Sequence, residues 1–286
     1  MKDDLIQRIN ARYGAMSKGQ KRIADYIRDH YDKAVFMTAA RMARQIDVSE
    51  STVVRFATSL GYDGYPQMQR ALQEMLRTRM TSVQRIEMSS EIPQEQVLSS
   101  VLKADIQNIR NTLDKVDPDV FERVVQGILS ARRIYIMGMR SSAPLAQFLG
   151  YYLNFIFPDV HIVTGTVGHV YEELVRITPR DWLFAISLPR YSARTVDGAV
   201  YAKEHGAKVV ALTDSPFSPL GQVADYNLIG ASDMAFFADS LVAPLSVINA
   251  LIISIGLRKK EEISEYLNHL EGIWDVAQTY TGKENT

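Results

Sequence analysis

The apolar pattern of this chain changes period near Arg132, and that change limits the folds open to it. Before Arg132, apolar side chains recur every three or four positions, as on one face of a helix. After it come short unbroken runs: Ile134-Tyr135-Ile136-Met137, Val160-His161-Ile162-Val163, Trp182-Leu183-Phe184-Ala185-Ile186 and Lys208-Val209-Val210-Ala211-Leu212, with Tyr226-Asn227-Leu228-Ile229 as a candidate fifth. Runs without polar alternation suit strands buried on both faces. Helical stretches of 10–15 residues separate them. Right-handed crossovers then leave a doubly wound parallel sheet of about five strands as the simplest topology. The predicted class is α/β, with an all-helical domain ahead of the sheet.

Residues 15–79 read as four short helices. Ser17 followed by Gln20 is a capping box, so the first begins near Lys18, with Ile23, Ile27 and Tyr31 as its apolar stripe. Thr38 caps a second, whose inner face is Met42, Ala43 and Ile46, and Ser49 caps a third running to about Ser59. Gly61 and Gly64 break the chain, and Pro66 suits the first position of a fourth helix that buries Met68, Leu72 and Met75. Residues 80–94 have weak periodicity and the composition of a linker. A long amphipathic helix follows, with Leu98, Leu102, Ile106, Ile109 and Leu113 along one side, and Asp117-Pro118 opens the next. The expected organisation is a helix-turn-helix domain at 1–79, a linker at 80–94 and an α/β domain at 95–286.

Charge divides along the same line. Residues 1–80 hold 14 Lys and Arg against 9 Asp and Glu, a net +5 that leaves −6 on the other 206 residues. A basic head on an acidic body fits a small nucleic-acid module joined to a domain with another task. The absence of cysteine excludes disulfides and thiolate metal sites and suits a reducing cytosol. Met1-Lys2-Asp3-Asp4 lacks an apolar signal core, and the longest apolar stretch, Leu241 to Leu257, is broken by Pro244, Ser246, Asn249 and Ser254. That stretch reads as a buried helix, and the expected location is cytoplasmic, with no membrane partner.

Thr38 to Leu60 has the spacing of a helix-turn-helix. On a wheel of 100° per residue, Val53, Ala57 and Leu60 share one side and Ser51 and Arg55 fall almost opposite. A helix that enters the major groove needs small polar groups near its start and an Arg that reaches guanine O6 and N7. Ser49, Ser51, Thr52 and Arg55 are therefore the candidate DNA-reading residues, with Lys18, Lys21, Arg22, Arg41 and Arg44 as phosphate contacts. The same periodicity also suits a plain three-helix bundle, with Ser49 only a cap and Arg55 only a solvated charge.

The run Val48-Ser49-Glu50-Ser51-Thr52-Val53-Val54-Arg55-Phe56, then Leu60-Gly61-Tyr62-Asp63-Gly64-Tyr65, resembles the signature of the RpiR/MurR family of regulators, V-S-x-S-T-V-x-R-F and L-G-Y-x-G-Y. Asp47 stands where the family turn usually has Gly, and Asp tolerates a left-handed backbone better than most residues. The resemblance covers nearly the whole chain and implies a C-terminal sugar isomerase (SIS) domain.

Two loops behind predicted strands carry hydroxyls. Gly138 is followed by Met139-Arg140-Ser141-Ser142-Ala143-Pro144, and Ser187 by Leu188-Pro189-Arg190-Tyr191-Ser192-Ala193-Arg194-Thr195. Serine hydroxyls and the free amides of a helix start both donate to phosphate oxygens, and open α/β sheets bind ligands at carboxyl ends of strands. Each serine alone reads as an ordinary helix cap; two such loops shift the balance towards a phosphate site. The candidate anion-binding residues are Arg140, Ser141, Ser142, Ser187, Arg190, Ser192 and Thr195.

In SIS domains these loops resemble G-x-G-x-S and S-x-S-G-x-T. Here Arg140 replaces a glycine, Ser142 and Ser187 keep serines, Pro189 replaces a serine, Arg190 replaces a glycine and Ser192 takes the threonine position. The two arginines either supply the lost interaction, in which case the ligand can carry a second anionic group, or sit in a subunit interface. Thr213-Asp214-Ser215-Pro216 reads either as the rim of the pocket or as a turn.

The implied function is a transcriptional regulator of carbohydrate metabolism that binds a double-stranded operator and senses a phosphorylated sugar or sugar acid, without a cofactor or metal. A homodimer or higher oligomer is expected, because paired reading helices match two half-sites. Leu241–Leu257 and a C-terminal helix bearing Ile263, Leu267, Leu270 and Trp274 are candidate interfaces. The alternative is a phosphosugar isomerase or lyase with an accessory helical domain, for which His169, Glu172 and Glu173 are the nearby acid–base candidates.

Overall fold

The computed structural model describes residues 5–35, 37–79, 83, 86, 93–165, 169–233 and 238–280. Most of the linker expected at 80–94 lies outside the described residues. The chain divides into two compact units, Met1–Arg85 and Ile86–Thr286.

The first unit holds α1 (Leu5–Arg12), α2 (Lys18–Asp29), α3 (Tyr31–Ala34), α4 (Ala39–Ile46), α5 (Glu50–Ser59) and α6 (Tyr65–Arg79). Its caps are local chemistry. Ser17 Oγ accepts the Gln20 amide hydrogen at 3.4 Å while Gln20 Oε1 accepts that of Ser17 at 3.0 Å. Thr38 accepts from Arg41 N at 3.2 Å, and Ser49 from Thr52 N at 3.2 Å. Ile9, Ile23, Ile27, Met42, Phe56, Leu60, Met68 and Leu72 are fully buried and form the core.

The structure differs from expectation at three places. Helix α1 was not expected, because Leu5 and Ile9 are the only residues it buries and two positions make no legible period. Tyr31 does not continue the stripe of α2, because His30 leaves helical geometry (φ −137°, ψ 40°) and Tyr31 opens α3 half-buried. Pro66 is the second residue of α6, one place in from the expected first. Helix α6 is fastened to the segment that feeds α4: Tyr65 Oη donates to Met37 O at 2.6 Å, and Gln69 Nε2 donates to Val35 O and Met37 O at 3.0 Å each.

The second unit begins with α7 (Val97–Leu113) and α8 (Pro118–Ser130), the latter capped by Asp117, which accepts from Asp119 N at 2.8 Å and Val120 N at 3.2 Å. Then come β1 (Ile134–Gly138), α9 (Ala143–Leu153), β2 (Val160–Val163), α10 (Val170–Leu174), β3 (Trp182–Ile186), α11 (Ala193–Glu204), β4 (Lys208–Thr213), α12 (Pro219–Val223), β5 (Tyr226–Ile229), α13 (Val242–Arg258) and α14 (Lys260–Val276). The five strands form one sheet in the order β2-β1-β3-β4-β5, and every pairing is parallel.

Unbroken apolar runs arise because both faces are covered. Ile134, Ile136, Phe184, Ile186, Val210, Leu212 and Leu228 point to the side lined by α8, α9 and α13. Their neighbours Tyr135, Met137, Leu183, Ala185, Val209 and Ala211 point to α10, α11 and α12. Burying each of these aliphatic side chains is worth about 1.5–3 kcal/mol relative to leaving it exposed. The helices lie close: a Cβ at Gly150 of α9 would come within 2.4 Å of Ile162.

At the amino edge of the sheet, Arg132 grips Asp181 with two bonds of 2.8 Å, and the carboxylate also accepts from Thr178 N and Oγ1 at 2.8 Å each. Burial pushes this carboxyl up, but Arg132 and Thr178 together hold it below the usual carboxylate range.

Two helices turn differently from expectation. The stripe Leu98, Leu102, Ile106, Ile109 and Leu113 of α7 is 41–78% exposed, and the side chains that α7 buries are Asn108 and Thr112. Hydrogen bonds set that face. Asn108 Nδ2 donates to Asp233 O at 3.1 Å and its Oδ1 accepts from Asp233 N at 3.2 Å. Thr112 Oγ1 accepts from Ala231 N at 2.8 Å, and Asp105 Oδ1 from Ser240 Oγ at 2.6 Å. Helix α13, read as buried, is buried on one face only: Val247, Ile248, Leu251 and Ile255 meet the sheet layer while Ile253 and Leu257 are exposed. Among the described residues no single helix is long and apolar enough to cross a membrane.

Candidate functional site

Helices α4 and α5 meet at a tight turn that depends on one backbone conformation. Asp47 lies in the left-handed region (φ 54°, ψ 60°) and closes α4, with its N–H on Ala43 O and Arg44 O. Arg22 holds the turn from α2, donating to Asp47 O at 3.0 Å. Ser49 then starts α5, and its Oγ lies 2.9 Å from Ser51 Oγ and 2.7 Å from Thr52 Oγ1. A cluster of three hydroxyls thus sits at a helix start whose free amides favour an anion.

Helix α5 is sharply two-sided. Val53, Phe56, Ala57 and Leu60 are buried, whereas Ser51, Val54, Arg55 and Thr58 are exposed. The second set follows the spacing i, i+3, i+4, i+7, so it makes one continuous outward face. Among the described residues Arg55 reaches its own helix, Nε to Ser51 O at 3.3 Å. Phe56 and Val54 were missed by the wheel reading, although Phe56 completes the i, i+3, i+4, i+7 set begun at Val53. Val54 adds an apolar group of the kind that contacts a thymine methyl.

Of the other cations, Arg41, Arg44 and Lys18 are exposed and Lys21 is half-buried. Arg44 Nε bonds Ala40 O at 3.4 Å, and Lys21 Nζ stands 5.5 Å above the Tyr13 ring. Arg22 is engaged with the turn rather than held out for a phosphate.

In the second unit the two hydroxyl-bearing loops leave neighbouring strands. Strands β1 and β3 pair with Gly138 opposite Ile186, so the loops that follow start side by side at the carboxyl edge. The chain runs from β1 out to β2 and from there back across to β3, which makes the β1/β3 boundary the switch point where open sheets of this order bind ligands.

The first loop is tight. A Cβ at Gly138 would lie 2.6 Å from Ser142 O, so only glycine fits. Arg140 takes a left-handed conformation (φ 56°) and is exposed with Ser141, while Ser142 is 4% exposed at the start of α9. In the second loop Ser187 is buried and its Oγ accepts from Ser192 N at 3.3 Å, closing the turn. Arg190 is also left-handed (φ 61°) and exposed. Ser192 stands half-buried at the N-cap position of α11 without a side-chain capping bond, and three residues on Thr195 is fully buried, its Oγ1 without a hydrogen-bond partner among the described residues. Both arginines that replace glycine thus keep the backbone a glycine would adopt.

The loop after β4 joins the second loop. Tyr191 Oη donates to Asp214 Oδ1 at 2.9 Å, a link no local pattern announces. Thr213 Oγ1 donates to Ser218 Oγ at 2.9 Å, and Ser218 Oγ accepts from Gly221 N at 2.9 Å, so the segment is also a self-bonded turn.

Residues Thr166 to Gly168, just before His169, lie outside the described residues. His169 N donates to Glu172 Oε2 at 3.0 Å, and its ring stacks on Tyr171 at 4.8 Å. Burial pushes the Glu173 carboxyl above its usual range, Glu172 adds to the rise, and the Gly165 N–H partly offsets it.

Comparison with known proteins bears on both units. Residues 3–79 match the model of the helix-turn-helix domain of the rpiR family, and residues 127–254 match that of the SIS domain. An HTH-type transcriptional regulator of Haemophilus influenzae is 28% identical over 268 residues, 91% of this chain and 92% of its own. The regulator HexR of Pseudomonas aeruginosa is 25% identical over 275 residues, 94% of each chain. The sugar isomerase domain of an RpiR transcription factor from Sphaerobacter thermophilus is 31% identical, covers 62% of this chain and 98% of that one, and superposes with a TM-score of 0.59. The NanR protein of Vibrio vulnificus, solved with ManNAc-6P, is 22% identical and shares the fold over 97% of this chain and 100% of its own, with a TM-score of 0.61.

Proposed function

We propose, because this chain belongs to the RpiR family of helix-turn-helix transcription regulators with a SIS domain, that it binds an operator through residues 1–79 and tunes that binding through an anionic sugar held in residues 95–286, with 80–94 as the linker. Ser51, Arg55 and Val54 read base edges, while Ser49 and Thr52 hold a backbone phosphate at the start of α5. Arg41, Arg44, Lys18 and Lys21 add sequence-independent phosphate contacts. The effector is a phosphorylated sugar or sugar acid, cradled by Ser141, Ser142, Ser187, Ser192 and Thr195 and the amide groups beside them. Arg140 and Arg190 sit where a second anionic group of that ligand falls.

One observation carries the reading of the second unit: the two serine loops emerge side by side from β1 and β3, and Thr195, three residues past Ser192, holds a buried hydroxyl without a partner among the described residues. A buried hydroxyl without a partner costs about 1–3 kcal/mol, so a ligand oxygen that accepts from it gives it a purpose. That NanR was solved with ManNAc-6P supports the ligand class. Named relatives that span almost the whole chain are regulators, which supports control of genes over turnover.

Two measurements test this. Operator sequences are selected from random duplexes with the full chain, and the selected duplex is titrated by fluorescence anisotropy. In parallel, a panel of phosphorylated sugars and sugar acids is screened by thermal shift and for turnover, because a ligand of the native state raises apparent stability. A specific duplex plus a stabilising, unconverted ligand is the expected outcome. Isomerisation or cleavage of a panel member with no selected duplex overturns it in favour of an enzyme built on Glu173 and His169.

A further inference from the structure

Glu173 of α10 holds a carboxylate whose bonding is incomplete. Its Oε1 is buried and has no hydrogen-bond partner among the described residues, while the Gly165 N–H bonds the same carboxyl. Glu172 bears on it as a like charge, and no cation among the described residues offsets that. A buried acceptor in this setting is costly unless a donor reaches it.

Its neighbours place it beside the anion cradle. Gly165 lies two residues past β2 in a left-handed conformation (φ 68°), and a Cβ there would come within 2.9 Å of Met139 Sδ in the first serine loop. Val163 pairs with Met137, so Gly165 and Met139 leave the sheet side by side. Helix α10 is in turn seated on α11, the helix that carries Thr195: a Cβ at Gly198 would lie 2.9 Å from Val170 Cγ2. A helical side chain leans back over the turn before it, which brings the Glu173 carboxyl from α10 to Gly165 at the carboxyl edge. Neighbouring strands lie about 4.8 Å apart, so the end of β2 stands roughly 7 Å from a phosphate seated between the loops of β1 and β3. That is farther than a phosphate oxygen reaches and within the length of a sugar chain.

We propose that Glu173 accepts a hydrogen bond from a hydroxyl on the body of the effector, so that the site takes a phosphorylated sugar with a hydroxyl at that end and disfavours a phosphorylated sugar acid with a carboxylate there. This rests on the serine loops being the phosphate cradle and adds what the rest of the ligand must present. A hydroxyl is neutral and supplies the donor that Oε1 lacks. A carboxylate in its place brings no donor and meets the like charges of Glu173 and Glu172. Arg140 and Arg190 do not relieve that conflict, because both are exposed whereas Oε1 is buried. Sites built to bond a hydroxyl discriminate strongly against analogues without it, since the protein's polar group is then left unpaired.

Titration calorimetry on the full chain tests this with inorganic phosphate, an aldose phosphate, and the alditol phosphate and phosphorylated aldonic acid of the same carbon skeleton. The last two differ only in a terminal hydroxymethyl against a carboxylate. The parent chain is expected to bind the alditol phosphate roughly 10-fold or more tightly than the acid. Glu173→Gln should lower the ratio of aldose-phosphate to inorganic-phosphate affinity by roughly 10-fold and narrow the gap between alditol and acid. The ratio is the deciding readout, because a carboxylate that merely braces the loop at Gly165 would shift both affinities together. An unchanged ratio in the folded variant overturns the role of Glu173, and so does a parent chain that binds the acid as tightly as the alditol phosphate, a comparison that decides even if the variant fails to fold. Those two results leave the phosphate cradle standing. A parent chain that binds neither inorganic phosphate nor any phosphorylated sugar refutes the cradle itself, and the role of Glu173 with it.

Discussion

Replacing Arg55 by Ala separates reading from folding. The side chain is exposed, and among the described residues its bond goes to the carbonyl of Ser51 in the same helix. Its removal therefore leaves no buried group unsatisfied, and stability should move by no more than about 0.5 kcal/mol. On DNA the cost is different. A bidentate Arg on guanine is worth about 1–3 kcal/mol of discrimination at each half-site, so an operator of two half-sites read by two copies would lose about 2–6 kcal/mol. That corresponds to an affinity for the selected duplex lower by about 30-fold to 10⁴-fold. Binding to unrelated duplex should fall far less, because phosphate contacts remain. Anisotropy titrations on the selected and a scrambled duplex at several salt concentrations give both numbers. By contrast, Arg41→Ala should weaken the two duplexes equally and lower the salt slope by about one. A well-folded Arg55→Ala protein with an unchanged ratio between selected and scrambled duplex refutes the assignment of α5 as the reading helix.

Three further outcomes follow from the geometry. Asp47→Gly should be neutral or stabilising and Asp47→Val destabilising by about 1–2 kcal/mol, because a left-handed backbone is cheap only for Gly, Asn and Asp; urea unfolding of the three proteins compares them. Thr195→Val should raise the melting temperature slightly, by removing a buried unpartnered hydroxyl, while weakening the effector about tenfold, and Ser187→Ala with Ser192→Ala should abolish the effector response while operator binding persists; calorimetry that finds full effector affinity in Thr195→Val removes that residue from the cradle. Asp181 has a folded pKa below its unfolded one, so its pair with Arg132 contributes fully above the usual carboxylate range and is lost as pH falls through the lower, folded value. Unfolding between pH about 2 and 5 should therefore show an acid loss that Asp181→Asn flattens, with lower stability than the parent at neutral pH.

Much of the fold was legible because local rules carried it. The five strands announce themselves through runs such as Trp182 to Ile186, which have no polar face to solvate. Ser17, Thr38, Ser49 and Asp117 mark helix starts because their side chains accept from amides two or three residues on. Asp47 in the family's glycine position carries a left-handed conformation, in keeping with the tolerance of Asp for that backbone. What stayed hidden depends on partners far along the chain. Asn108 is bonded to Asp233, 125 residues away, and nothing near Asn108 shows that its amide and not the neighbouring leucines will face inward. The link from Tyr191 to Asp214 is of the same kind, and so is the place of β1 between β2 and β3, which brings the two loops together. Helix α1 was invisible for the opposite reason: it buries too few residues to show a period.

Coupling between duplex and ligand is the property on which a sensing regulator rests, and it must be reciprocal. With the selected duplex and the stabilising sugar in hand, operator affinity is measured with and without the sugar, and sugar affinity with and without the operator. The same factor, between about 5 and 150, is expected in both directions. A sugar that binds the native protein tightly yet leaves operator affinity unchanged contradicts a regulator governed through the β1/β3 loops.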